Sequence, residues 1–395
     1  MGNVQLLKNV QTFKMRRIGL FFGLLATTAQ AFACYNDSDT YLTEIRDNLD
    51  ITNAIIGRFT LYPPDYYKRR IESQTAILKK DPNNLDAYDN ISVAYDRIGK
   101  GDEAIKWIEL KRKHLSATSG NHLYSTEANE GTFYIVRWIT GHKTGDVSDA
   151  VKAEKYIEKA LKINANAHFG REFAQLYSIR AMIACGKEEE WMPKFTASLI
   201  KIADRDHIDR KKLRYGIAGM MVLGAAWDLP MMIQAIAELV PEEGQVADLC
   251  KQKLQYIGKD KYGSSDRLIA DDRFIEIDLA AKCPIKAEST IHGQDRGTIR
   301  QLLRNGAEFQ LSQTDWIETQ LNAGKHPDNG DDFWNGYKPV PPIPKEKLAT
   351  STFWSRTSMF IGNWAMMSCG CCIFIPAGII LLIIRDRVRR ALRKP

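Results

Sequence analysis

From Tyr41 to about Cys283, apolar side chains recur at three- and four-residue spacing, and clusters of Gly, Pro, Asn or Asp interrupt them roughly every 12 to 20 residues. Alternation with a period of two is nearly absent. The pattern predicts an all-α domain built from paired helices. Its clearest stretch runs from Asp81 to Lys113. There Tyr88, Ile91, Ser92 and Tyr95 share one helical face, Gly99, Lys100 and Gly101 make a turn, and Ala104, Ile105 and Ile108 form the facing stripe of a second helix. Weaker pairs are expected at Asn129–Tyr134 with Ala153–Ala160, near Ala167–Ala203, and near Arg214–Leu239. Residues 54–80 offer a helix ahead of the clear pair.

The Asp81–Lys113 stretch resembles a tetratricopeptide repeat. A ring at Tyr88, an aliphatic side chain at Ile91, a small residue at Ser92, a ring at Tyr95, the turn at Gly99, Ala104 in the second helix and Pro82 closing the preceding unit all fit that family. The packing positions are then Tyr88, Ile91, Ser92, Tyr95, Ala104 and Ile108. Two residues depart from the pattern, because Arg70 and Lys111 stand where a small residue is usual. The resemblance implies a helical-hairpin solenoid over residues 34–285, since single pairs cannot cover their own apolar faces and must stack. It also implies a concave groove lined by Asp86, Asp89, Asn90, Val93, Asp96 and Arg97. Three of these are carboxylates, so a basic or amide-rich protein or peptide segment is the expected partner. A merely solvated helix face is the competing reading of the same six residues.

The formal charge of +7 belongs to the two ends. Residues 1–17 carry Lys8, Lys14, Arg16 and Arg17 with no acid, and Arg385–Pro395 holds six basic residues against Asp386. What lies between is close to neutral with a slight acidic lean, which removes the main support for nucleic-acid binding. The order Arg16–Arg17, then an apolar run from Ile18, then small residues to Ala33 is that of a secretory signal peptide over residues 1–33, with Met15 a possible natural start. Acylation of Cys34 is an alternative there. No charged residue occurs between Arg356 and Arg385, so residues 358–384 are expected to form a single transmembrane helix. The basic tail at 385–395 then lies in the cytoplasm, and the bulk of the chain is extracytoplasmic, periplasmic if the membrane is a bacterial inner membrane. Residues 286–357 are expected to be a linker. It would contain an amphipathic helix from Thr298 to Leu321, interrupted near Asn305 and Gly306, and a proline-rich stalk around KPVPPIPKEK.

The search for chemistry finds no hydrolase, zinc, haem or phosphate-loop motif, and no catalytic residue, cofactor or metal is expected. Asp204, Asp206, His207 and Asp209 form the densest acid and histidine cluster, read as a charged turn in preference to a metal site. His168 with Arg171 and Glu172 is read as a helix start. Trp191 and Trp227 are expected in the core and not in a sugar-binding cleft. Outside the expected membrane helix, Cys34, Cys185, Cys250 and Cys283 allow more than one disulfide pairing. The function these features imply is a membrane-tethered scaffold for an envelope assembly or secretion process. The alternative is an envelope enzyme or accessory subunit with a pocket within residues 165–260.

Overall fold

The structure, a computed structural model, describes residues 50–260 and 296–343 apart from 142, 166–169, 224, 225, 228 and 331. Twelve α-helices and no strand occur among the described residues: α1 Ile51–Ile56, α2 Pro64–Lys80, α3 Leu85–Arg97, α4 Gly101–Arg112, α5 Asn121–Thr140, α6 Ser148–Ile163, α7 Arg171–Cys185, α8 Met192–Arg205, α9 Arg210–Leu223, α10 Pro230–Leu239, α11 Gly244–Asp260 and α12 Arg296–Asn322. Local chemistry sets several of their ends. Pro64 opens α2, where a missing amide hydrogen costs nothing, and Lys79 and Lys80 close it against the exposed carbonyls. The Asn84 side chain caps α3 by accepting from the Ala87 amide at 2.9 Å. Gly99, at a φ of 74°, takes the left-handed conformation that lets α3 stop and α4 begin two residues later.

Consecutive helices from α2 to α8 pack against one another, and so do α9 with α10 and α10 with α11. Helices two apart also touch: α3 with α5, α7 with α9, and α8 with α10. Packing of this kind stacks helix pairs, each covering the apolar face its neighbour leaves bare. Tyr88, Ile91, Ser92, Ala104 and Ile108 are all buried, and Tyr95 is half-buried against the same cluster. On α6 the buried face is Ala150, Ala153, Ile157 and Ala160, and α5 lies along it. Among the described residues no helix is long and apolar enough to cross a membrane. Residues 358–384, like the signal segment and the basic tail, lie outside the described residues.

The segment expected as a linker is corrected by the fold. Ile299–Pro342 belongs to the same compact unit as the described residues before 261. The expected interruption at Asn305 and Gly306 is likewise absent, because α12 runs unbroken from Arg296 to Asn322. Both residues instead meet the start of the domain. Asn305 Oδ1 accepts from Arg58 at 2.7 Å and its amide donates to the Pro341 carbonyl at 3.0 Å, while Gly306 lies against the backbone of Ile56. One turn on, the Gln310 amide donates to the carbonyls of Gly57 and Phe59, and Gln313 donates to Thr60 Oγ1 at 3.1 Å. Arg58 also donates to the Val340 carbonyl at 2.8 Å, so the first part of the proline-rich run lies along the domain rather than standing off it.

A buried clasp follows α12. Asp328 accepts from Arg70 Nε at 2.9 Å and from Gln74 at 3.1 Å, and the Arg70 guanidinium also reaches the Tyr66 hydroxyl. His326 stacks on Tyr66 with ring centroids 4.5 Å apart and meets the Tyr66 carbonyl at 3.1 Å. Arg70 thus fails the repeat pattern because its partner is a carboxylate on the returning segment. Burial pushes the Asp328 carboxyl up, but the charge and hydrogen bonds of Arg70 more than offset this and hold it below the usual carboxylate range. A depressed carboxyl contributes stability that is present above its unfolded value near pH 4 and is lost as the pH falls through the lowered value. Asp328→Asn keeps one acceptor oxygen but loses the charge, and is expected to cost about 2 kcal/mol at pH 7. Thermal melts should show the gap between wild type and variant closing as the pH falls below about 4.

Candidate functional site

The six residues of the expected groove do not line an open surface. Asp89, Asn90, Val93 and Asp96 are buried, Arg97 is half-buried, and only Asp86 is exposed. Asp89 is enclosed by α4 and α5. Its Oδ2 accepts from Lys111 Nζ at 2.6 Å and from Ser125 at 3.1 Å, and its Oδ1 accepts from Asn129 at 3.0 Å. Lys111 also donates to Ser125 Oγ at 2.8 Å and has no exposed surface. Burial pushes the Lys111 amine below its usual value, with Asp89 pulling in the opposite direction. At the end of α3, Arg97 donates to the Leu223 carbonyl at 3.0 Å, joining α3 to the end of α9. The short helix α1 packs against α9 and α11, and Phe59 meets Trp227 edge to face at 5.8 Å.

The carboxylate of Asp89 is thus matched inside the fold and is not offered to a basic partner. Lys111, the other departure from the repeat pattern, is the residue that does the matching.

The remaining candidates resolve into structural roles. Arg210 holds Asp204 at 2.7 Å, Arg205 holds Asp206 at 2.6 Å, and Asp209 accepts from the amide of Lys211 at 2.8 Å, so that segment is a salt-bridged turn. Arg171 and Glu172 are buried side by side at 3.7 Å, and His168 lies outside the described residues. Trp191 and Trp227 are core residues. Cys185 and Cys250 are free thiols in the interior, where burial pushes them up to about 11 and about 12, far from a reactive thiolate at neutral pH. Cys34 and Cys283 lie outside the described residues. A cleft of about 300 Å³ opens between the start of α2 and the end of α12, lined by Pro63, Lys68, Arg69, Glu318 and Asn322. It is remote in sequence from the 165–260 region of the enzyme alternative.

The outer face of α6 carries a feature that the search for motifs missed. Each acid of this helix is held by an arginine of a neighbouring helix: Asp149 by Arg137 at 2.7 and 2.8 Å, and Glu154 and Glu158 by Arg180 at 2.9 and 2.8 Å. Next to them Arg112 spans Glu127 and Glu130, both at 2.5 Å, and Tyr134 stacks on Tyr156 at 5.7 Å. The arginines serve the acids along the seams, Lys152 and Lys159 reach Asp149 and Glu127 from the surface, and Lys155 and Lys162 are exposed. No family model matches the chain, and no curated protein or solved structure matches it.

Proposed function

We propose that the protein is a binding scaffold of tetratricopeptide-like helix pairs that holds a protein or peptide partner on the extracytoplasmic side of a membrane. Residues 358–384 would be its anchor and 385–395 its cytoplasmic tail. The observation that carries this reading is the stacking of helix pairs, with helices two apart in contact. Stacks of this kind present rows of outer-helix residues to solvent, a geometry suited to extended protein contacts. Partner choice is assigned to the outer faces, because four of the six expected groove residues are buried. An envelope assembly or secretion process fits the tether and the expected export signal.

The test is in-membrane crosslinking of the full chain followed by mass spectrometry. A defined protein partner, enriched over an anchor-only control, is the expected result. Recovery of lipids and bulk proteins alone would remove the proposal.

A further inference from the structure

We infer that the exposed face of α6 docks an acidic, helical segment of a protein partner; this rests on the reading of the protein as a binding scaffold. At 100° per residue, Lys152, Lys155, Lys159 and Lys162 fall within about 120° of arc, bounded by Val151 on one side and Ile163 on the other. No acid lies in that arc. The buried alanines Ala150, Ala153 and Ala160 and Ile157 occupy the opposite side of the helix, so the lysine row is its outermost face. From Lys152 to Lys162 the row spans about 15 Å, close to three helical turns.

Half of this row, Lys155 and Lys162, meets no acid among the described residues, although Arg137 and Arg180 each hold two carboxylates beside it. Asp149, Glu154 and Glu158 are bound by Arg137 and Arg180 as described above. Lys152 keeps a 3.6 Å contact with Asp149, and Lys159 a 3.5 Å contact with Glu127. Lys155 and Lys162 make no ion pair among the described residues. Val151 and Ile163, at 49% and 50% exposure, are two of the four large apolar side chains that stand exposed among the described residues. A row of cations with an aliphatic residue at each end matches a helix whose carboxylates repeat every three or four residues between apolar anchors. Four lysines in single file are a narrow target for a bilayer or a nucleic acid. A short acidic segment feels mainly the local row.

The experiment uses the purified full chain in lipid nanodiscs of neutral phospholipid. The probe is a fluorescent 14-residue helical peptide with Glu at positions 2, 5, 9 and 12 and Leu at both ends of that row, and binding is read by anisotropy. Saturable binding that weakens with salt is expected, and Lys155→Glu with Lys162→Glu should weaken it about tenfold or more without moving the melting temperature. A peptide with Lys in place of Glu should not bind the wild type. Equal binding of the acidic peptide to wild type and variant, or of a scrambled peptide of the same composition, would overturn the inference. So would a stronger, equally charge-dependent response to phosphatidylglycerol vesicles. If the double variant still crosslinks to the partner in membranes, the α6 face is wrong and the scaffold reading stands; if the wild type captures no partner, the scaffold reading itself fails.

Discussion

Gly306→Val is expected to lower the midpoint of thermal unfolding by roughly 6–12 °C, a destabilisation of at least about 3 kcal/mol. A Cβ at this position would overlap the carbonyl oxygen of Ile56 and come within 2.8 Å of its carbonyl carbon. Both sides of that contact are backbone, so no rotamer change relieves it; α12 must move away from α1. Movement there also pulls Asn305 from Arg58 and Gln310 from the Gly57 and Phe59 carbonyls, leaving buried polar groups unpaired. Gly244→Ala is the control, because a Cβ there meets nothing within 4 Å, and its melt should shift by no more than about 2 °C. A small shift for Gly306→Val would mean that α12 does not close against the N-terminal segment.

The second large effect is expected at Lys111. Lys111→Met leaves the Asp89 carboxylate buried without its cation, and breaking a buried pair from one side costs about 3–5 kcal/mol. The double variant Lys111→Met with Asp89→Leu removes both charges and should recover most of that loss in denaturant melts, a coupling that a double-mutant cycle measures. The pH dependence has a definite sign. The folded chain holds the Lys111 proton less tightly than the unfolded chain does, so stability rises with pH between the lowered value and the unfolded value near 10.5. Asp89→Asn removes the attraction that opposes burial, so this rise should begin at lower pH; Lys111→Met should abolish it. Independent losses in the single variants, with no recovery in the double, would contradict the pairing.

Much of the fold was legible because helix packing repeats locally. The 3.6-residue spacing from Tyr88 to Tyr95 and from Ala104 to Ile108 marks residues whose neighbours are one helix away, and those residues are buried except for the half-buried Tyr95. Arg70 and Lys111 were visible as misfits, but their meaning was not. Lys111 pairs with a residue 22 positions back, and Arg70 with one 258 positions ahead, and a repeat pattern speaks only of adjacent helices. The α12 segment was misjudged for a related reason. Asn305 and Gly306 look like a helix break when taken alone, whereas a glycine that admits another backbone and an amide that bridges two segments serve tertiary contacts. Asp89 illustrates the same limit at the candidate site, since a carboxylate at a groove position reads as a surface charge until its buried lysine is seen. The lysine row of α6 was present in the spacing of residues 152, 155, 159 and 162. That Lys155 and Lys162 stand apart from the neighbouring acids emerges only once Arg137 and Arg180 are seen against Asp149, Glu154 and Glu158.

The central claim is that partner contacts lie on the exposed face of α6 and not on the expected groove face of α3. Its most direct test places a photocrosslinking amino acid at position 155 on α6 or at position 86, the exposed start of the expected groove, in the full chain in its membrane. Crosslinks from position 155 to a protein partner, diminished at high salt, with none from position 86, are the expected result. Partner crosslinks from position 86 with none from position 155 would contradict it.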